Sequence, residues 1–297
     1  MMKPLKTFPV TLYFVAFFIL GGLCSCRSIK PIPPNDPATN PKVKFLLTFD
    51  DGPSAIKDNN PTESILNQLA VNDVQSNICA IFFIQTHHPR GTARPKGMEV
   101  LEEIPRCGQL VGIHSVSPLG HVNHVTMPTN ELVRLLVDGK QLLKRVSGEE
   151  PLLVRPPYGV SNPTTRAIYR ELNLHLLMAD IPAHDGIVHG FNGSPRRRIH
   201  IRRLLTSVRN TLVQKPDSLV PYPIVVAFHD VNRYTARHIT EYLHILVEEA
   251  AHAGLTLDAQ PFYASRQESM TAALYRVTQP PLPAPPPLHI IPRGWTL

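Results

Sequence analysis

Two adjacent carboxylates follow an apolar run in KFLLTFDDGPS, residues 44–54, and a Gly-Pro turn comes directly after them. Asp50 and Asp51 repel each other, so placing both at one strand end costs free energy unless a positive charge compensates. A divalent cation provides that charge. It also allows the two carboxylates to have different roles, because one can bind the ion while the other accepts a proton from water. The DDGP sequence also fits a plain solvated turn.

Further reactive side chains stand at the ends of the other apolar runs. In parallel sheets with crossover helices, the carboxyl ends of the strands face a common rim where ligands bind. The predicted strand ends carry His114, Arg155 with Tyr158, Asp180 or Asp185, and His229. Histidines, spare carboxylates and a cation at one rim are typical of a hydrolytic site, with zinc held by Asp and His ligands.

The elements that must position these residues alternate between strand-like and helix-like segments from Val43 onward. The predicted strands are VKFLLTF, AIFFIQ, QLVGIH, LLVRP, LHLLMAD, IVVAFHD and a possible seventh, LTLDA. Apolar strands separated by amphipathic helices indicate a parallel α/β sheet, either a small or irregular barrel or an open doubly wound sheet. No Gly-rich phosphate motif follows the first strand, which disfavours a dinucleotide-binding sheet.

The ordered motifs TFDDGP, AIFFI, GIHS, RPPYG and AFHD resemble the polysaccharide deacetylase family, the family-four carbohydrate esterases related to nodulation-factor deacetylase. The resemblance covers roughly residues 43–260. It implies a single α/β domain, a distorted (β/α) barrel with fewer than eight parallel strands. It also implies hydrolysis of acetyl groups on a glycan.

The resemblance assigns roles in the reaction to residues of three of the motifs. Asp50 matches the general base, and Arg155 matches the residue that orients it through a charge-assisted hydrogen bond. Pro157 and Tyr158 lie where the family binds substrate and places a backbone N–H against the oxyanion. His229 matches the general acid that protonates the leaving group.

The metal ligands follow the family pattern with one departure. Asp51 and His114 match two ligands of a divalent metal, for which we expect Zn²⁺. The family places the second histidine four residues after the first, where this chain has Pro118, which cannot bind a metal. In HSVSPLGHVNH, three extra residues move the ligand to His121, with His124 as the competing choice.

A second departure lies in LMADIPAHDGIVHG. The family has two aspartates three residues apart followed by tryptophan, which lines the substrate groove and sets the proton affinity of the acid. Here Asp180 and Asp185 are five apart, and Gly186 replaces the tryptophan. Asp185 is the predicted partner that holds His229 protonated, and Asp180 remains the alternative.

The two ends of the chain differ in composition from its centre. Residues 1–25 carry two lysines and a continuous apolar run, which predicts a lipoprotein-type signal peptide that precedes a lipidated Cys26; a simple anchor helix is the alternative. Residues 26–42 predict a flexible tether and 266–297 a Pro-rich tail. The deacetylase domain is therefore predicted over 43–265.

Export would place the domain in the periplasm or at the outer surface. Cys79 and Cys107 would then be in a compartment that permits a disulfide, although two free thiols remain the alternative. Without Lys3 and Lys6 of the predicted signal peptide, 28 of the 30 basic residues remain against 23 acidic ones, and this mature charge of +5 favours anionic polymers without requiring nucleic acid. RRRIHIRRLL at 196–205 has the period of an amphipathic helix with a solvated basic face, so no nucleic-acid partner is expected.

Together these features predict an exported, lipid-anchored, metal-dependent deacetylase whose partners are an acetylated glycan and the membrane. N-acetylglucosamine of peptidoglycan is the expected substrate, or a chitin-like oligomer, because a lipoprotein at the envelope meets peptidoglycan first. The interrupted histidine motif and the missing tryptophan support a different class, a glycan-binding protein on a degenerate fold. An O-acetyl ester hydrolase would use the same machinery.

Overall fold

A parallel sheet forms the centre of the fold in this computed structural model, which describes residues 40–185, 194–215, 221–280 and 282. The strands are β1 (Lys42–Asp50), β2 (Ile81–Ile84), β3 (Leu110–Ile113), β4 (Leu153–Val154), β5 (His175–Leu176), β6 (Ile181–Pro182), β7 (Tyr222–His229) and β8 (Thr256–Phe262). Seven of them lie in the order β5-β4-β3-β2-β1-β7-β6, and β8 pairs with β1 outside this path.

Helices cover this sheet and connect most of its strands. They are α1 (Pro61–Ala70), α2 (Pro95–Arg106), α3 (Thr129–Ser147), α4 (Pro163–Glu171), α5 (Ser194–Leu212), α6 (Arg233–His252) and α7 (Arg266–Thr278). Among the described residues, no pairing joins β5 to β6, so the curled sheet is open between them. The seven-stranded path confirms the distorted (β/α) barrel, and the eighth strand extends its sheet at the start of β1.

β1 is the central strand because its apolar run is buried on both faces. Phe45, Leu47 and Phe49 belong to the large core under the helices, whereas Leu46 belongs to a smaller core on the opposite face. The ring of Phe49 stacks on that of Phe82, with centroids 4.9 Å apart. Burial on both faces explains why β1 reads as a continuous apolar run rather than an alternating one.

The carboxyl-terminal part of the domain differs from the sequence prediction. Residues 266–278, included in the predicted tail, form α7 and place Ala273 in the smaller core. Arg276 at the end of α7 forms an ion pair of 2.6 Å with the buried Asp180. Because the apolar side chains of α7 are buried against this face of the sheet, the helix belongs to the domain. Residues 283–297 lie outside the described part.

Two open questions about side chains are answered by the described residues. Cys79 is buried, Cys107 is exposed, and both are free thiols.

The basic run lies on α5, where Arg198 forms an ion pair with Glu248 of α6 and Arg202 forms one with Glu249 of α6. The basic run is therefore part of a helix, as predicted, and ion pairs within the domain neutralise some of its charges.

The proposed signal peptide, Cys26 and most of the tether precede the described residues. Within the described part of the chain, no helix has both the length and the apolar character needed to cross a bilayer.

Candidate active site

Strand register brings the predicted residues to one rim of the barrel. Asp50 at the end of β1 pairs with His229 at the end of β7, and its other neighbour is Phe83 of β2. His114 directly follows β3, and Arg155 directly follows β4. Because all these strands run parallel, their carboxyl ends meet at the same edge, as expected for an α/β site.

Three side chains at this rim form a compact group that could hold a metal ion: Asp51, His114 and His121. The Nε2 atoms of the two histidines lie 2.9 Å apart. Asp51 Oδ1 is 3.2 Å from His114 Nε2 and 3.3 Å from His121 Nε2. Ligand atoms about 2.0–2.1 Å from a tetrahedral zinc ion are themselves about 3.3 Å apart, so the donor spacing fits such an ion.

The protonation of the group also suits a cation. His114 Nδ1 donates to the Arg155 carbonyl at 2.6 Å, so Nε2 is the ring nitrogen that faces the group. Burial lowers the pKa of His121, although the charge of Asp51 acts in the opposite direction. Burial would raise the pKa of Asp51, but the hydrogen bond and charge of His114, with the charge of His121, lower it to about 2. A carboxylate and two imidazoles are a common zinc donor set.

A tight turn explains how a ligand seven residues after His114 reaches the group. Ser117 and Gly120 form an isolated antiparallel bridge, and the Ser115 hydroxyl donates to the Gly120 carbonyl at 2.7 Å. Gly120 has a φ of +100°, which favours glycine. The extra residues therefore form a closed loop that returns the chain to the rim at His121.

His124 lies apart from the group. Its side chain is buried, with Nδ1 2.8 Å from the hydroxyl of Tyr169. Burial, with the nearby charges of His114 and His121, lowers the pKa of His124 to about 3. This geometry favours His121 as the metal ligand and gives His124 a packing role behind it.

The histidine assignment predicts different metal contents for two alanine variants. His121→Ala should lose most of the bound zinc, because it removes one of three converging donors. His124→Ala should keep the zinc and lower stability, because it removes a buried ring that contacts Tyr169. Metal analysis of both proteins after dialysis checks this; zinc loss in His124→Ala but not in His121→Ala would reverse the assignment.

Asp50 is held by a buried arginine. Arg155 Nη1 donates to Asp50 Oδ1 at 2.9 Å and to the Thr48 hydroxyl at 2.6 Å, while Nε donates to the Leu177 carbonyl at 2.9 Å. The guanidinium also lies over the ring of Phe83, 4.3 Å from its centroid. These contacts fix the Asp50 carboxylate beside the metal group without making it part of that group.

His229 is paired with Asp185 rather than Asp180. Its Nδ1 lies 2.8 Å from Asp185 Oδ1, and Asp185 Oδ2 accepts from the His229 N–H and from the Thr235 hydroxyl. Asp180 instead binds Arg276 and the backbone of Val225. Burial would lower the pKa of His229, but Asp185, through its hydrogen bond and charge, raises it to about 9, so the ring is cationic at neutral pH.

The RPPYG segment forms a turn on the other side of the metal group. Tyr158 has a φ of 61°, and its hydroxyl donates to the His121 carbonyl at 3.1 Å. Its ring meets the His121 ring edge-on at 4.5 Å and is 68% exposed, so it could contact a ligand. Pro157 is buried within the turn, so it can influence substrate only through the shape of the turn. Gly186, which stands where the family has its groove-lining tryptophan, lies outside the described residues.

One buried carboxylate at the rim was missed as a site residue. Asp230 is fully buried, and its Oδ2 accepts from the Thr62 hydroxyl at 2.8 Å. Burial raises the pKa of Asp230 to about 7. A Cβ at Gly52 would lie 2.0 Å from Asp230 Oδ2, so glycine is required where the Asp51 turn crosses this carboxylate. The available signal in the sequence was the acidic residue that directly follows His229 in AFHD.

Comparisons with known proteins agree with this geometry. Residues 38–177 match the sequence model of the polysaccharide deacetylases. The peptidoglycan-N-acetylglucosamine deacetylase of Bacillus cereus is 31% identical over 118 residues, which are 40% of this chain and 37% of that protein. Chitin deacetylase 2 of Saccharomyces cerevisiae is 28% identical over 145 residues, 48% of this chain and 39% of that protein. The chain thus spans less than two fifths of either relative.

The fold is shared with solved structures as well. The chitin deacetylase from the fungal pathogen Colletotrichum lindemuthianum superposes with a TM-score of 0.55 at 17% identity, covering 77% of this chain and 94% of that one. At this identity the likeness concerns the fold alone. The family match ends before Asp185 and His229, so their assignment depends on the geometry described above. Residues 38–177 of this chain thus match the polysaccharide deacetylase family, whose members are hydrolases of N-acetyl amide bonds in glycans.

Proposed function

We propose that this protein is a metal-dependent deacetylase that removes acetyl groups from an envelope glycan, with Zn²⁺ as its metal. The observation that carries the proposal is the joint presence of three units at one rim. These are the Asp51, His114 and His121 group, the Asp50–Arg155 pair and the His229–Asp185 pair. A metal-dependent hydrolase needs a cation site, a base and an acid, and each unit supplies one of them.

The base is Asp50. A divalent ion bound by Asp51, His114 and His121 would supply a Lewis acid for the acetyl carbonyl and the attacking water. Asp50 accepts a proton from that water, and Arg155 keeps the carboxylate aimed at the rim through the 2.9 Å ion pair. The two neighbouring aspartates thus have separate tasks, because Asp50 contacts Arg155 while Asp51 contacts the histidines.

The acid is His229. Its imidazolium donates a proton to the departing amine nitrogen as the C–N bond to the acetyl group breaks, and acetate is the second product. Asp185 keeps the ring cationic and oriented, since it contacts both Nδ1 and the backbone N–H. His229 is 39% exposed, so its ring is open to a ligand at the rim.

Acetate release tests the activity. Zinc-loaded protein incubated with an N-acetylated chito-oligosaccharide should release acetate, and removal of the metal with a chelator should abolish the release until zinc is added back. An O-acetylated substrate run in parallel separates an ester hydrolase from an amide hydrolase. Retention of glycan without acetate release from either substrate would support the glycan-binding protein instead.

The location proposal has its own test. We propose that the protein is exported and held at the membrane by lipid on Cys26, which would bring the domain to peptidoglycan and its N-acetylglucosamine. Cys26→Ser should move the protein from the membrane fraction to the soluble fraction, because stable anchoring of the mature chain would depend on that lipid. Unchanged fractionation of Cys26→Ser, with Cys24→Ser as the matched control, would contradict lipidation at this residue.

A further inference from the structure

A groove of about 680 Å³ lies where the curled sheet is open, between β5 and β6. Its sides are α4, the segment 174–180 that contains β5, and the end of α7. Its described lining residues include no member of the metal group, of the Asp50–Arg155 pair or of the His229–Asp185 pair. Its volume lies within the range of about 300–1,000 Å³ that is usual for binding sites.

The surface of this groove suits an apolar segment of chain. Leu176 is partly buried and Met178 is 37% exposed, and both line the groove together with Val277 of α7. β5 pairs with β4 along one edge, and no strand of the described part pairs with its other edge. An apolar surface beside an open strand edge is a template that binds another extended segment.

The chain itself leads to this groove. Val277 packs against the smaller core, on one face of the sheet, and Gln279 lines the groove. Three residues further along, Leu282 packs against the large core, on the opposite face. The chain therefore changes from one face of the sheet to the other beside the opening, and residues 283–297 start next to the groove.

The composition of residues 283–297 matches this surface. The segment contains five prolines and no acidic residue, and its large apolar side chains are Leu288, Ile290, Ile291, Trp295 and Leu297. Proline holds the backbone extended before binding, so the entropy that is lost on binding is small. In that conformation, fifteen residues at about 3.1 Å each reach about 45 Å, which is long enough to follow the groove.

Two further features favour this segment over a separate ligand. It is joined to α7, so it meets the groove at an effective concentration in the millimolar range, and weak contacts are enough to hold it. Arg166 and Arg170 of α4 also line the groove, and a guanidinium binds well over the face of a tryptophan ring such as that of Trp295. We infer that residues 283–297 bind in this groove of their own chain and cover the open side of the barrel. This inference is independent of the proposed activity.

The fluorescence of Trp295 tests the inference, because it is the single tryptophan of the chain. In the folded full-length protein, its emission should lie at shorter wavelength than in the unfolded protein, and acrylamide should quench it several-fold less. Met178→Glu should make the emission and the quenching like those of the free peptide 283–297, because it places a charge on the apolar surface. Val71→Glu makes a matched change at a position that is 75% exposed and remote from the groove lining, so both properties should stay unchanged.

A variant of the segment itself keeps the test decisive if Met178→Glu unfolds the domain. Ile290→Asp combined with Ile291→Asp changes no residue of the groove and should also give emission like that of the free peptide. In hydrogen exchange, residues 174–178 of this variant should exchange several-fold faster than in the unmodified protein, while residues 42–50 of β1 exchange at the same rate.

The contrary results are distinct. Emission of the unmodified protein that matches the free peptide would overturn the inference, as would shielded emission that survives both the Met178→Glu and the Ile290→Asp with Ile291→Asp changes. Equal exchange of residues 174–178 in the unmodified protein and the segment variant would overturn it as well. Shielding that is lost on dilution would mean that the segment binds a second copy, which would overturn binding within one chain.

Discussion

Asp50→Asn is expected to keep its bound zinc and to lose acetate release by on the order of 10²- to 10⁴-fold, the usual contribution of a general base. Asparagine has nearly the shape of aspartate but cannot accept the proton from water. The metal donors Asp51, His114 and His121 are untouched by the change. Metal content and kcat measured on the same preparation check both halves of the prediction.

The matched control is the neighbouring residue. Asp51→Asn makes the same chemical change one position later, but it should lower zinc content itself, because Asp51 Oδ1 is 3.2 Å from His114 Nε2 and 3.3 Å from His121 Nε2. The two variants should therefore differ in metal content while sharing low activity. Equal zinc loss in both would show that the two carboxylates do not divide their tasks as described.

Asp185→Asn is expected to move the alkaline limit of activity to lower pH. Burial opposes charge on His229, and the hydrogen bond and charge of Asp185 overcome it to raise the pKa to about 9. Without the carboxylate, the pKa should fall toward or below the ordinary 6.5, so the ring loses its proton as the pH rises through a lower value. Since the acid works only when protonated, kcat should decline at a lower pH than in the unmodified protein.

A surface pair provides the control for this shift. Asp73 lies 3.0 Å from His244 in another Asp–His pair, exposed and away from the rim. Asp73→Asn should leave the pH profile of kcat unchanged, because that pair does not contact the site. A profile for Asp185→Asn that matches the unmodified protein would mean that His229 is not the acid or that Asp185 does not set its charge.

The sequence predicted the parts of the fold that depend on local pattern. Apolar runs such as those of β1 and β7 were identified because both faces of these strands are buried. β6 was missed because it has two residues, one of them proline, and carries no periodic signal. α7 was assigned to the tail although Met270, Leu274 and Val277 have helical spacing. The apolar helical pattern was present in the sequence, but the proline-rich segment that follows it led to the whole region being predicted as a tail.

The site residues at strand ends could be predicted from the sequence motifs. The site residues in loops could not be chosen among alternatives, because their positions depend on how the loop folds. Asp50, Asp51, His114 and Arg155 end or follow strands, so their position at the rim follows from the sheet. The choice between His121 and His124 depended on the loop closed by the Ser115 hydroxyl. The spacing of residues in the sequence does not predict that this loop closes through a hydrogen bond. The choice between Asp180 and Asp185 likewise required knowing that α7 brings Arg276 to Asp180.

A zinc-soaked crystal structure with anomalous diffraction at the zinc edge tests the central assignment most directly. The predicted result is a single strong peak bound by a carboxylate oxygen of Asp51 and by Nε2 of His114 and His121, with Asp50 still paired to Arg155 and not bound to the ion. A zinc ion bound by Asp50 or His124, or no zinc at this rim, would contradict the account.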